Sequence, residues 1–229
     1  MADLPDTLLN GYRNFMNNHF AHETARYREL ADLGQTPQTL VIACCDSRAA
    51  PEIIFDTAPG EIFVLRNVAN LMPPYTPDGE YHAASAALEF AVQSLKVKHI
   101  VVLGHGRCGG IKAALSPDHA PLSPGDFIGK WMSLLAPAAE NVIANTMMTD
   151  SERHTALERI SIRYSIQNLR TFPCVDILEK KGRISLHGAW FDISTGELWV
   201  MNKETGDFKR PDIDDPFIIP APAAEQSAS

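Results

Sequence analysis

The sequence predicts an α/β fold: a mostly parallel central β-sheet flanked by helices, with an N-terminal helical extension packing on a partner subunit. Three observations predict it. Short apolar, β-branched runs recur at 39–44 (TLVIAC), 61–65 (EIFVL) and 99–103 (HIVVL), each reading as a buried strand. Helix-periodic stretches separate these runs, and that alternation implies parallel strands covered on both faces. Two alternating stretches, 184–192 and 197–201, flank Ser194-Thr195-Gly196 and read as a hairpin.

Taken in order, Leu8, Leu9, Tyr12, Phe15, Met16 and Phe20 recur at helical spacing, predicting a helix from Asp6, as N-cap, to about Leu33. A compact α/β domain does not need a helix ahead of its first strand, so this one is expected to lie across a second copy of the chain. Residues 1–34 form this extension, 35–206 the α/β domain, and 207–229 a Pro-, Asp- and Ala-rich tail whose last ten residues should be disordered. After the first strand, Pro51 suits the first turn of a helix reaching about Asp56. The polar loop MPPYTPDGE leads to a helix over 81–95, where Ala83, Ala84, Ala86, Ala87 and Ala91 permit close packing on a sheet. Gly109-Gly110 opens a further helix. Longer helices are expected over 126–144 and 152–171, and a short one over 173–180.

The chain has 229 residues, with 20 Lys plus Arg against 28 Asp plus Glu, a net charge of -8. That balance argues against a nucleic-acid partner and against adsorption to an anionic membrane. No apolar run approaches the roughly 20 residues that span a bilayer. The first ten residues, MADLPDTLLN, carry neither a basic n-region nor an apolar h-region, so a cytoplasmic location is expected. Cys44, Cys45, Cys108 and Cys174 are too few for a disulfide framework at this size, and in a reducing compartment they read as metal ligands or core thiols.

Two loops carry unusual chemistry. Cys44-Cys45-Asp46-Ser47-Arg48 follows the TLVIA strand, and His105-Gly106-Arg107-Cys108-Gly109-Gly110 follows HIVVLG. Ligands in parallel sheets bind beyond the carboxyl ends of the strands, where both loops fall. Cys44, His105 and Cys108 offer two thiolates and an imidazole, which with one open position match a catalytic zinc site. Cys108 sits near a helix start, where the dipole favours a thiolate. Each feature has a plainer reading alone: a His-x-x-Cys pair that binds nothing, a core cysteine, Asp46 as a helix cap and Arg48 as its surface partner. Cys45 and Cys174 read as core or spare thiols. His19, His22, His82, His99, His119, His154 and His187 read as structural or surface residues.

The runs CCDSR (44–48), PGEIFVLRNVAN (59–70) and GHGRCGG (104–110), in this order and spacing, resemble the β-carbonic anhydrase family over about residues 30–200. The resemblance implies a parallel sheet core, a dimer or higher even oligomer, and one zinc ion per subunit on Cys44, His105 and Cys108. It also implies two site arrangements. In the open form Asp46 pairs with Arg48 and water completes the metal; in the closed form Asp46 binds the metal itself. One subgroup closes through bicarbonate held by a tryptophan, arginine and tyrosine triad. This chain keeps Arg66 but has Val41 and Phe191 at the other two positions, so that pocket is expected to be absent. RNVANLMPPY (66–75) and Gln35 instead resemble the plant-type subgroup, and the open form is expected near neutral pH. By the same resemblance, Gln35 donates to substrate oxygen and Phe63, Val68 and Phe90 wall an apolar carbon dioxide pocket. Plant-type members carry tyrosine where Phe90 stands and can carry histidine near Ser94, so proton exit here is expected to lean on external buffer.

The implied reaction is reversible hydration of carbon dioxide to bicarbonate by zinc-bound hydroxide, since zinc lowers the pKa of bound water to about 7. Asp46 would orient the hydroxide, and Arg48 would hold Asp46 off the metal and ionised. Two alternatives stand beside it: hydrolysis of carbon disulfide or carbonyl sulfide on the same scaffold, and a non-catalytic zinc-binding protein with a permanent fourth ligand.

Overall fold

The computed structural model describes residues 4–116 and 120–211. His119 and the last ten residues lie outside the described residues. In chain order the elements are α1 (Asp6–Asn14), α2 (Ala21–Leu33), β1 (Thr39–Cys44), α3 (Pro51–Ile54), β2 (Ile62–Asn67), α4 (Ala83–Glu89), β3 (His99–His105), α5 (Gly109–Ala114), α6 (Phe127–Met132), α7 (Ala136–Ala144), α8 (Asp150–Leu169), α9 (Pro173–Lys180), β4 (Ser185–Phe191), β5 (Leu198–Met201) and β6 (Phe208–Lys209). A π-helical segment, Phe15–Phe20, joins α1 to α2, so helical backbone runs from Asp6 to Leu33.

The sheet has six strands in the order β2-β1-β3-β4-β5-β6. β2, β1, β3 and β4 are parallel, and the hairpin adds β5 and then β6 antiparallel at one edge. Register levels the carboxyl ends: Cys44 pairs with Asn67, and Ala43 with Leu103. The loops after β1, β2 and β3 therefore open side by side.

Helix α8 is the principal cover of one sheet face. Thr149 and Glu152 form a capping box at its start, which satisfies backbone N–H groups that the helix cannot. Its buried positions Leu157, Glu158, Ser161, Ile162, Ser165, Ile166 and Leu169 follow helical spacing. Ile162 enters gaps that two glycines leave: a Cβ on Gly104 would lie 2.7 Å from its Cδ1, and one on Gly188 would lie 2.8 Å from its Cγ2. The polar members of the stripe serve the buried loop after β2. Ser165 Oγ donates to Asn70 O at 3.1 Å and accepts from Met72 N–H at 3.1 Å, while Asn168 Nδ2 donates to Met72 O at 2.7 Å. Buried backbone groups require such partners.

Several local expectations shift. Pro5, not Asp6, is the N-cap residue of α1, and Asp6 occupies the first helical position. α3 ends at Ile54. β2 runs two residues further than its apolar stretch, to Asn67. The helix over 81–95 divides into α4 and a π-helical turn, Phe90–Ser94. The 126–144 helix breaks at Ser133–Leu135, ahead of Pro137 in the first turn of α7. Phe208 and Lys209 are not tail but an edge strand, because Phe208 buries its ring in the main core. Of the two thiols read as core or spare, Cys45 is exposed and Cys174 packs half-buried at the core's margin.

Ile162→Ala is expected to cost about 2–5 kcal/mol, from lost burial and the cavity between two glycines. Urea denaturation at fixed protein concentration measures this, and a cost under about 1 kcal/mol would show that α8 is not seated through this side chain.

Candidate metal centre

β1 ends in Cys44, β3 ends in His105, and Cys108 is the N-cap of α5; they are 5%, 1% and 1% exposed. Between the last two, Arg107 takes a left-handed conformation with φ 57°. The chain thus reverses within three residues and both side chains face Cys44. The ligand atoms of Cys44, His105 and Cys108 all lie within 4.8 Å of one another, and the two sulfurs are 3.9 Å apart.

This arrangement suits a tetrahedral ion. Two sulfurs each about 2.3 Å from one tetrahedral zinc would lie about 3.8 Å apart. His105 Nδ1 donates to Gly106 O at 2.9 Å, which fixes the tautomer and leaves the Nε2 lone pair free. Nε2 is buried and has no hydrogen-bond partner among the described residues. A buried acceptor left this way is costly unless something fills it, and it lies among two thiols.

The loop after β2 completes the inner wall. Ala69 and Asn70 are both left-handed, with φ 63° and 50°, a strain of roughly 1–3 kcal/mol each for non-glycine residues. It aims the Ala69 N–H at Cys44 Sγ, 3.4 Å away. Asn67 pins the loop by donating to Leu71 O and accepting from Leu71 N–H, and Trp131 Nε1 donates to Val68 O.

Electrostatics favours charge here. The Cys44 thiol is lowered to about 4, chiefly by the hydrogen bond from Cys108 and against the effect of burial. Cys108 moves up as the donor of that bond and by burial. Burial also opposes a charged His105, yet its contacts with Cys44 and Gly106 outweigh it and raise the imidazole's pKa. The Arg48 guanidinium holds the Asp46 carboxyl well below the usual carboxylate range.

Asp46 stands beside the donors without joining them. Its Oδ2 is 3.9 Å from His105 Nε2. Both carboxylate oxygens instead accept from Arg48, from Nε at 2.9 Å and Nη2 at 2.7 Å. Arg66 braces the same loop, donating to Cys44 O at 2.8 Å and Asp46 O at 2.7 Å. Val41 is buried in an apolar cluster that Phe191 packs against.

The three residues expected to wall the substrate pocket, and the expected donor Gln35, do not sit together in one copy of the chain. Val68 lies at the centre, over Gly110, and lines an apolar cavity of about 470 Å³ with Leu65, Ile128 and Trp131. Phe63 and Phe90 pack together, ring centroids 5.8 Å apart. Phe63 pairs with Leu40, four residues before the Asn67–Cys44 pair, or about 13 Å back along the strand. Gln35 is exposed in the link between α2 and β1.

Two neighbours of the centre escaped the sequence reading. His154 Nε2 is 3.0 Å from Cys108 O, and the buried Glu158 accepts from Cys108 N–H at 3.0 Å. The available signal was positional: Glu158 falls between Leu157 and Ser161 on the inward stripe of α8. His99 and His187 also meet, 3.2 Å apart on adjacent strands, a contact that no sequence spacing reveals.

Residues 39–198 match the family model described as carbonic anhydrase. The chain is 33% identical over 208 residues to beta carbonic anhydrase 3 of Arabidopsis thaliana, covering 89% of this chain and 80% of that one. Among solved structures it is similar to the β-carbonic anhydrase CcaA, with TM-score 0.83, 28% identity and coverage of 90% of this chain and 91% of that one. It is also similar to a chain from two tetrameric β-carbonic anhydrases of the filamentous ascomycete Sordaria macrospora, with TM-score 0.65, 30% identity and coverage of 86% and 93%.

Because the folded pKa of Asp46 is depressed, the pair's contribution to stability is present above about pH 4, the ordinary carboxylate value, and is lost as pH falls into the acid range. Arg48→Ala should raise the Asp46 pKa toward the ordinary carboxylate range, the backbone N–H of residue 48 retaining part of the depression. Carbon-detected NMR of the carboxyl group measures this, and an unchanged pKa would show that Arg48 is not the cause.

Proposed function

Because this chain belongs to the carbonic anhydrase family, in its β class, we propose that it reversibly hydrates carbon dioxide to bicarbonate and a proton at zinc held by Cys44, His105 and Cys108. The observation that carries this reading is the convergence of those three donors beside an Asp46 committed to Arg48. Zinc bound there would act as a Lewis acid that makes water a nucleophile near neutral pH.

The protein's own residues supply the rest. Asp46 Oδ2 lies 3.9 Å from His105 Nε2, near enough to accept a hydrogen bond from the attacking water and turn a lone pair toward carbon. Arg48 keeps Asp46 ionised and draws it away from the metal ligands. Arg66 holds the backbone beneath Asp46, so the carboxylate's position follows from β1. Val68 and the Ala69 loop present apolar surface to an apolar substrate and exclude competing water. Among the described residues three donors converge and no fourth joins them, which favours an enzyme over a structural zinc site. Reduced thiols at Cys44 and Cys108 suit the cytoplasm.

The pocket is completed, in this reading, by a second copy. α1 and α2 have no buried residue, and Leu8 and Tyr12 stand exposed one turn apart. Phe90 is also exposed. A dimer that covers these faces brings Gln35, Phe63 and Phe90 of one copy toward the centre of the other. The related Sordaria macrospora proteins are tetrameric.

Stopped-flow hydration assays on protein with measured zinc content test the reaction. Turnover should track zinc, and carbon disulfide should not be consumed. Protein fully loaded with zinc yet inert toward carbon dioxide would refute the reading. Asp46→Ala should retain zinc and lose about 100-fold or more in kcat, the scale of a positioned proton acceptor. Leu8→Asp with Tyr12→Asp should reduce the particle mass seen by sedimentation, and an unchanged mass would remove α1 from the interface.

A further inference from the structure

Helix α8 carries a pair of side chains to which the proposed chemistry assigns no role. His154 and Glu158 lie one turn apart on it. Glu158 is 2% exposed, and an ionised carboxylate in a protein interior is costly unless it is well paired. Both of its oxygens are occupied: Oε1 accepts from Cys108 N–H at 3.0 Å, and Oε2 accepts from Trp190 Nε1–H at 3.0 Å. His154 Nε2 lies 3.0 Å from Cys108 O and 3.4 Å from Glu158 Oε1. A carbonyl oxygen only accepts, so Nε2 carries a proton and donates it there. One helix face therefore holds both polar backbone groups of a single residue.

That residue needs holding. Cys108 follows the left-handed Arg107 and caps a helix of only six residues, whose Lys112 N–H also donates to Cys108 O at 3.0 Å, so it is the Cys108 N–H that depends on Glu158. Its N–H is buried, and without Glu158 it would be an unsatisfied donor. We propose that His154 and Glu158 are positioning residues for metal capture: they lock the Cys108 backbone so that its sulfur already faces Cys44 before an ion arrives. The proposal rests on reading Cys108 as a metal ligand. Ordering costs met during folding are not charged to binding, and a carboxylate is a stronger acceptor of the N–H than a neutral amide.

The test uses the whole protein, stripped of metal and titrated with Co²⁺, followed by thiolate-to-cobalt absorption. Zn²⁺ affinity is measured separately by competition with a chelating dye. Glu158→Gln should weaken both ions about 10- to 100-fold, the scale seen for partners of metal ligands, while far-UV circular dichroism stays near wild type and the melting temperature of the metal-free protein falls only by the few degrees that one unpaired buried N–H costs. Glutamine has one acceptor and must turn its NH₂ toward either Cys108 N–H or Trp190 N–H. Adding Trp190→Phe removes the second donor, so the double variant should recover most of the affinity lost. His154→Ala should give a smaller loss. Wild-type affinity and spectrum in Glu158→Gln would overturn the proposal, as would a lowered melting temperature with affinity unchanged. No recovery in the double variant would overturn the acceptor mechanism. Wild-type protein that takes up no Co²⁺ would overturn the metal-centre reading itself, and this proposal with it.

Discussion

The parallel pairing of β1 with β3 is the constraint on which the centre depends. Cys44 and Cys108 are 64 residues apart, yet strand register fixes both loops at one sheet edge with their sulfurs 3.9 Å apart. A one-residue slip would turn the ligand side chains to opposite faces. Such a slip would also move Leu40 and Ile42 out of the main core and Val41 and Ala43 out of the opposite cluster. The apolar burial on both faces therefore enforces the register, and through it the site geometry.

Proximity alone does not shape a coordination site, and the second requirement is a rigid wall of loops. The 67–72 loop is buried and twice left-handed, which would be unfavourable for an isolated peptide. Asn67, Trp131 and the polar residues of α8 supply the hydrogen bonds that its buried backbone lacks. α8 is thus half apolar wedge and half polar scaffold, with Ile162 seating it against Gly104 and Gly188 while Ser165 and Asn168 hold the loop. The same helix reaches Cys108 through His154 and Glu158. Stability and site geometry here come from one set of contacts.

Much of the fold was legible in the sequence. The β-branched runs at 39–44 and 99–103 are strands, the periodic stretch over 6–33 is helical, and the alternating pair around Ser194-Thr195-Gly196 is a hairpin. These features are local, encoded by side-chain period and turn chemistry. What stayed hidden depends on tertiary context. Ala69 and Asn70 adopt a conformation that a sequence reader expects of glycine, because neighbouring groups over-determine it. Glu158 looks solvent-facing by charge, although its position on α8 faces inward. Phe63 and Phe90 seemed to belong with Val68, but along-strand distance places them elsewhere in the same chain. β6 was missed because two residues carry too little pattern to read.

Charge balance would also favour an Asp46 that stands 3.9 Å from His105 and outside the donor set. With a dication bound, two thiolates and a neutral imidazole would already balance it. A carboxylate added as fourth ligand would leave a net negative charge in a pocket walled by apolar side chains, where charge is poorly solvated. Arg48 offers the same carboxylate a bidentate partner with its guanidinium in water. An exposed ion pair of this kind contributes little by itself, so the preference is modest in size and rests as much on the cost of the alternative as on the strength of the pair. Backbone geometry adds to it: the Arg48 N–H donates to Asp46 Oδ1 at 3.0 Å, so the turn itself holds the carboxylate toward the arginine. In the proposed zinc site, the open position would thus be a property of the CCDSR loop, set by two residues' spacing and one peptide N–H, rather than of the three donors alone.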